Sequence, residues 1–163
     1  GGIRVCETDE QIWHAADDLL GSRLVTAQTG PTGNVVHRLY IESAVNIKQE
    51  LYLGFVLDRV SERIIVIASA EGGVEIEDIA EQQQASMIRT TIEPAVGMQA
   101  FQAREIAFAL GIPAELISQA VKTLLGAYRA FRDLDATMVE INPLAITQQN
   151  DLLALDGKMG FDE

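Results

Sequence analysis

Three oxygen-bearing side chains near the C-terminal end, Glu140, Asn142 and Asp156, fall at a spacing that can hold a metal ion. Two apolar runs, Thr137 to Ile146 and Asp151 to Leu155, flank Gln148-Gln149-Asn150. If those three residues form a hairpin loop, Thr147 pairs with Asp151, and the register carried back sets Asn142 opposite Asp156. Directly opposed residues of an antiparallel pair share a face, with Cβ atoms about 4.5–5.5 Å apart, so a carbonyl and a carboxylate oxygen can converge on one cation. Glu140, two residues before Asn142, points to the same side. Mg²⁺ takes oxygen ligands at about 2.0–2.1 Å, commonly one or two protein groups completed by phosphates and waters, which suits this pair. A two-residue loop would shift the pairing by one, and Pro143 must bend or interrupt the ladder. The plainer alternative is that Asn142-Pro143 and Asp156-Gly157 are turn dipeptides with no chemistry.

The elements that must carry these residues follow from periodicity. Thr8-Asp9-Glu10-Gln11 has the form of a capping box, so a helix starts there, with Ile12, Ala16, Leu19 and Leu20 on one face and Gly21 as its end. Leu24 to Gln28, Val35 to Glu42, Glu50 to Arg59 and Arg63 to Ser69 are rich in β-branched and aromatic residues and are separated by short turns, among them Gly-Pro-Thr-Gly at 30–33. Such strands pair antiparallel. In the third, Leu51, Leu53, Phe55 and Leu57 face one way and Glu50, Tyr52, Gly54, Val56 and Asp58 the other, leaving one packed and one open face. The pattern turns helical from Gly72-Gly73 to about Gln84, Ile88 to Glu93 reads as a strand, and Phe101, Glu105 and Phe108 sit at helical spacing. Gly111 and Pro113 break that helix, and a second runs from Leu116 to Phe131 on Leu116, Ala120, Leu124 and Ala127, forming an antiparallel helix pair. The mixture predicts an α+β fold, with helices packed on a mainly antiparallel sheet.

Composition narrows the chemistry. The chain has 163 residues, 48% hydrophobic, enough for one compact core. Its net charge of −12, from 24 acidic against 12 basic residues, argues against nucleic acid as the partner and implies that any nucleotide arrives with a cation. The single cysteine, Cys6, precludes an internal disulfide, and the chain opens on no signal-like segment, so a reducing, cytoplasmic-type compartment is expected, or the mitochondrial matrix in a eukaryote. No apolar run reaches the roughly 18–20 residues of a membrane span.

Five segments together carry a more specific signal: Glu50-Leu-Tyr-Leu-Gly-Phe-Val-Leu-Asp-Arg59, Ala70-Glu-Gly-Gly-Val-Glu-Ile-Glu77, Gln102-Ala-Arg-Glu105, Glu140-Ile-Asn-Pro-Leu144 and Leu155-Asp-Gly-Lys158. In order and over nearly the whole chain, they resemble the β subunits of succinyl-CoA synthetases. The resemblance implies a partial ATP-grasp fold, with residues 1–163 a single domain fragment that lacks the start of that domain and the C-terminal CoA-ligase domain. It implies the reaction of succinate, CoA and ATP to succinyl-CoA, ADP and phosphate, with acyl phosphate and phosphohistidine as intermediates. The expected cofactors are Mg²⁺ with ATP/ADP or GTP/GDP. The expected partners are the α subunit that carries the phosphohistidine, CoA and a dicarboxylic acid. By matching positions, Asn142 and Asp156 become the metal ligands, and Glu140 the catalytic acidic residue that approaches the phosphohistidine loop. Glu42, Val45 and Glu50 come to the nucleotide, with backbone around Glu42 near the base and the Glu50 carboxylate accepting from ribose hydroxyls. Val45 departs from the hydroxyl residue expected there. His14 and His37 do not take the phosphohistidine role, which belongs to the partner.

Glu93-Pro-Ala-Val-Gly-Met-Gln-Ala-Phe-Gln-Ala-Arg104 and Tyr128-Arg-Ala-Phe-Arg-Asp133 are more similar to the malate-CoA ligase branch, which keeps malate as an alternative acid. Gly72-Gly73 is first of all a turn; the alternative reading is an anion bound at the N-terminus of the helix that follows. Without the ATP-binding lysine and glycine-rich loop of the family's preceding lobe, the fragment alone is expected to be inactive. An alternative of another class is a non-catalytic acidic docking module built on helices 101–131.

Overall fold

The computed structural model describes residues 2–26, 29–73 and 87–162, and these fall into two compact units, residues 1–45 and 46–163. In the first unit, α1 (Asp9–Leu19) is capped by Thr8, whose hydroxyl accepts from the Gln11 amide at 3.3 Å. The return bond differs from the sequence expectation: the Gln11 side chain accepts from the Glu7 amide at 2.7 Å, one residue earlier than the cap. Leu19 is buried but Leu20 is exposed, because the chain has already turned extended at Leu20 before Gly21 at φ +75°. Strands β1 (Arg23–Leu24) and β2 (Asn34–Val35) pair antiparallel over two residues each. The strand expected to continue to Glu42 does not form; Tyr40 and Ile41 are exposed, and no described strand offers that segment a ladder. β-propensity alone does not make a strand without a partner.

The second unit is a six-stranded antiparallel sheet, β3 (Ile47–Asp58), β4 (Arg63–Ser69), β5 (Ile88–Ile92), β6 (Ala136–Thr147), β7 (Leu152–Ala154) and β8 (Gly157–Phe161). The order is β5-β4-β3-β6-β7, with β8 also on β6. One face carries Leu51, Leu53, Phe55, Val66, Leu144 and Ile146 into the core, where α2 (Ala100–Ala109) and α3 (Ile117–Asp133) supply Ala103, Ile106, Ala120, Leu124 and Phe131. Phe101 and Phe108 are exposed, so the buried side of α2 is its alanine and isoleucine side. The helical stretch expected from Gly73 to about Gln84 lies outside the described residues. Among the described residues, no helix is long and apolar enough to cross a membrane.

β3 and β6 hold the sheet together, and their register has one irregularity that matters. Leu51 pairs with Leu144 and Leu53 with Ile141, so the two residues Asn142 and Pro143 oppose Tyr52 alone. This extra residue is a β-bulge. It switches the core-facing positions of β6 from Val139 and Ile141 before it to Leu144 and Ile146 after it. The proline foreseen as an interruption therefore sits in the bulge, with the Asn142–Pro143 peptide cis.

Candidate functional site

The loop after β6 sets the geometry of the candidate site. The Thr147 amide donates to the Asp151 carbonyl at 2.9 Å, and Asn150, at φ +59°, donates its amide to the Thr147 carbonyl at 3.1 Å. This is the three-residue hairpin loop closed by a left-handed residue. Thr147 is almost fully buried, and its hydroxyl accepts from the amides of Gln149 and Asp151, which ties the loop down. The register then runs without a slip: Ile146 pairs with Leu152, Leu144 with Ala154, Ile141 with Gly157 and Glu140 with Lys158. Between β7 and β8 the Leu155 amide donates to the Pro143 carbonyl at 3.1 Å, and the Asn142 amide donates to the Asp156 carbonyl at 3.2 Å. Asn142 and Asp156 are thus opposite one another.

On β6, Val139 and Ile141 point to the core while Glu140 is half-buried on the other face. The same open face carries Glu50, which pairs through β3 with Ala145. A turn from elsewhere in the chain joins these groups. The Gly73 amide donates to Asn142 Oδ1 at 2.7 Å. Gly73 also lies directly against the Glu50 carboxylate, so that a Cβ there would overlap it. Tyr52 is buried on this face, its hydroxyl 2.8 Å from where a Gly54 Cβ would stand, and Gly54 pairs with Glu140. Only a residue without a side chain at 54 lets the ring lie along the strand.

The donor set suits a hard cation. Asn142 offers a carbonyl oxygen with two lone pairs, one of them used by Gly73. Asp156 is exposed, with one oxygen near its neighbour's amide, Gly157 N, at 2.8 Å. Mg²⁺ commonly takes one or two such protein oxygens and completes its octahedron with waters and phosphate oxygens. Among the described residues, no group of three or more His, Cys, Asp or Glu side chains is placed to hold a metal.

Glu42 and Val45 belong to the first unit, in the irregular segment after β2. Glu42 is exposed and borders a cleft of about 720 Å³ within that unit, lined also by Ile12, Leu24 and Tyr40. The second unit gathers Glu50, Glu140, Asn142 and Asp156 onto one sheet. Of its neighbours, Lys158 and Tyr52 were not singled out as site residues in the sequence, and Gly73 was read there only as a turn or as the approach to an anion-binding helix end. Lys158 was reachable, because the hairpin register extended two residues beyond Asp156 sets it opposite Glu140. Gly73 and Tyr52 were not, since their placement depends on contacts across the fold.

Comparison with known proteins gives this geometry a context. Residues 1–146 match the model of an ATP-grasp domain. The chain is 57% identical over 163 residues to a probable malate–CoA ligase subunit beta of Mesorhizobium japonicum, covering 100% of this chain and 41% of that protein. It is 49% identical to the succinate–CoA ligase [ADP-forming] subunit beta of Bacillus velezensis, covering 99% of this chain and 42% of that protein. The chain therefore spans about two-fifths of the length of these relatives. Among solved structures, the ATP citrate lyase of Methanothrix soehngenii superposes with a TM-score of 0.67 at 20% identity, over 94% of this chain and 33% of that one, a likeness of fold.

Proposed function

The chain belongs to the ATP-grasp family, and from that premise we propose that it is the nucleotide-binding part of the β subunit of a nucleoside-diphosphate-forming acid–CoA ligase. Enzymes of this family as a rule bind ATP or ADP with Mg²⁺. The overall reaction is succinate, CoA and ATP to succinyl-CoA, ADP and phosphate, with malate as the alternative acid. The observation that carries this proposal is the facing pair Asn142 and Asp156 on one hairpin, with Glu140 and Glu50 on the adjoining open face, in a chain similar to ligase β subunits along its whole length.

In this reading Asn142 and Asp156 hold Mg²⁺, which when bound neutralises charge on the phosphates. Glu50 accepts from ribose hydroxyls, backbone around Glu42 meets the base, and Val45 contacts the nucleotide through its backbone. Glu140 approaches a phosphohistidine loop supplied by an α subunit, where a carboxylate can orient the imidazole and exchange a proton with it. CoA and the dicarboxylic acid bind in the complete enzyme. The malate alternative draws on the higher identity to the malate ligase relative.

Calorimetric titration with ADP, with and without Mg²⁺, tests the proposal. Binding should depend on magnesium and weaken at least tenfold in Asp156→Ala, about 1.4 kcal/mol. A docking module, the alternative suggested by the exposed Phe101 and Phe108 on α2, would bind no nucleotide even at millimolar concentration once the α subunit is present.

A further inference from the structure

Three residues far apart in sequence, Glu50, Gly73 and Asn142, meet at one point, and the one in the middle contributes only backbone. The Gly73 N–H is a donor, so the Asn142 atom that receives it at 2.7 Å must be the carbonyl oxygen. That bond fixes which way the carboxamide faces. The bulge at Asn142 and Pro143 aims the side chain at the turn, as bulges beside sites often do.

The turn is itself seated on the sheet. A Cβ on Gly72 would lie 2.5 Å from the Leu51 carbonyl oxygen and 2.8 Å from its nitrogen. That stretch of β3 cannot give way, because Leu51 is paired with Leu144 on one side and Tyr52 with Ser69 on the other. Gly73 stands at φ +73°, a conformation that favours glycine, and a Cβ there would also displace the Glu50 carboxylate. Both glycines are therefore required by contact with β3 and its side chains, beyond what a plain turn demands.

We infer that the Gly72-Gly73 turn is a positioning element of the metal–nucleotide site, setting the Asn142 carboxamide through the Gly73 N–H and the Glu50 carboxylate through direct packing. The inference rests on the nucleotide-binding role proposed above. Groups that orient metal ligands from behind typically change metal affinity or activity about 10–100-fold when lost. A single backbone turn here couples the group assigned to the metal with the group assigned to the ribose.

The test uses the protein as its gene encodes it, with ¹⁵N-labelled glycine. Without nucleotide, Asn142→Ala should move the Gly73 amide proton upfield, further than that of any other glycine, whereas Asn142→Asp, which keeps an acceptor oxygen, should not. An unmoved Gly73 amide in Asn142→Ala overturns the inference. With nucleotide, Gly73→Ala should weaken Mg-ADP binding about tenfold and raise the Mg²⁺ concentration at half-saturation. A turn that serves only the fold would leave the magnesium dependence unchanged, and unchanged or tighter binding would likewise overturn the inference. If the unsubstituted protein binds no Mg-ADP, the nucleotide role fails, and the amide measurement alone decides whether Gly73 positions Asn142.

Discussion

The hairpin of β6, β7 and β8 and the segment after β2 are both rich in strand-forming residues, yet one is a regular ladder and the other is not. In the hairpin, Thr147 and Asn150 close a loop of fixed length, and every pair from Ile146–Leu152 to Met138–Gly160 follows from that one local choice. After β2, Val36 still exchanges backbone hydrogen bonds with Ser22 and Gly21, but the run His37 to Glu42 has no described strand beside it, and Tyr40 and Ile41 stand exposed. Register is strongly specified where a turn and a buried face agree, and is left open where neither acts. The residues assigned to the metal are on the specified side of this contrast.

The contrast can be broken most severely at the core of the hairpin. Leu144 and its partner Leu51 are fully buried, so Leu144→Ala should cost about 3–4 kcal/mol in urea denaturation. Asn150→Val, which forces a β-branched residue into the left-handed region, should cost about 1–2 kcal/mol, while Asn150→Gly should stay within a few tenths. If valine is tolerated as well as glycine, the loop does not set the register. In the first unit, Tyr40→Ala should change stability by less than about 0.5 kcal/mol, as exposed positions do. A loss comparable to Leu144→Ala would show that Tyr40 has a partner.

The smallest effect concerns the other end of β3. Asp58 accepts from the Ser61 hydroxyl and from the amides of Ser61 and Val60, and chiefly the hydroxyl holds its carboxyl below the ordinary value of 3.8. A depressed pKa adds stability above the unfolded value, and that stability is lost as the pH falls through the lowered one. Asp58→Asn should therefore be slightly less stable than the unsubstituted protein near neutral pH, with the gap closing in strong acid. A gap that widens in acid would contradict this assignment.

What was legible in the sequence follows the same division. The helix cap at Thr8, the alternation of Leu51, Leu53 and Phe55, the apolar stripe of α3 and the Asn142–Asp156 opposition are set by neighbours within a few residues or by one loop length. Strand β8 was missed because Asp156-Gly157 resembles a turn, although here it only carries the chain from β7 into β8. The meeting of Gly73 with Glu50 and Asn142 was invisible, because a glycine pair carries the same local signal whether it turns in solvent or packs on a strand.

The central claim, that facing positions of one hairpin hold the metal of a bound nucleotide, is tested most directly by locating the ion. Crystals of the protein grown with Mn²⁺ and ADP should give one anomalous peak within coordination distance of both Asn142 Oδ1 and the Asp156 carboxylate, on the side of the ADP phosphates. A peak coordinated by neither side chain would contradict the account.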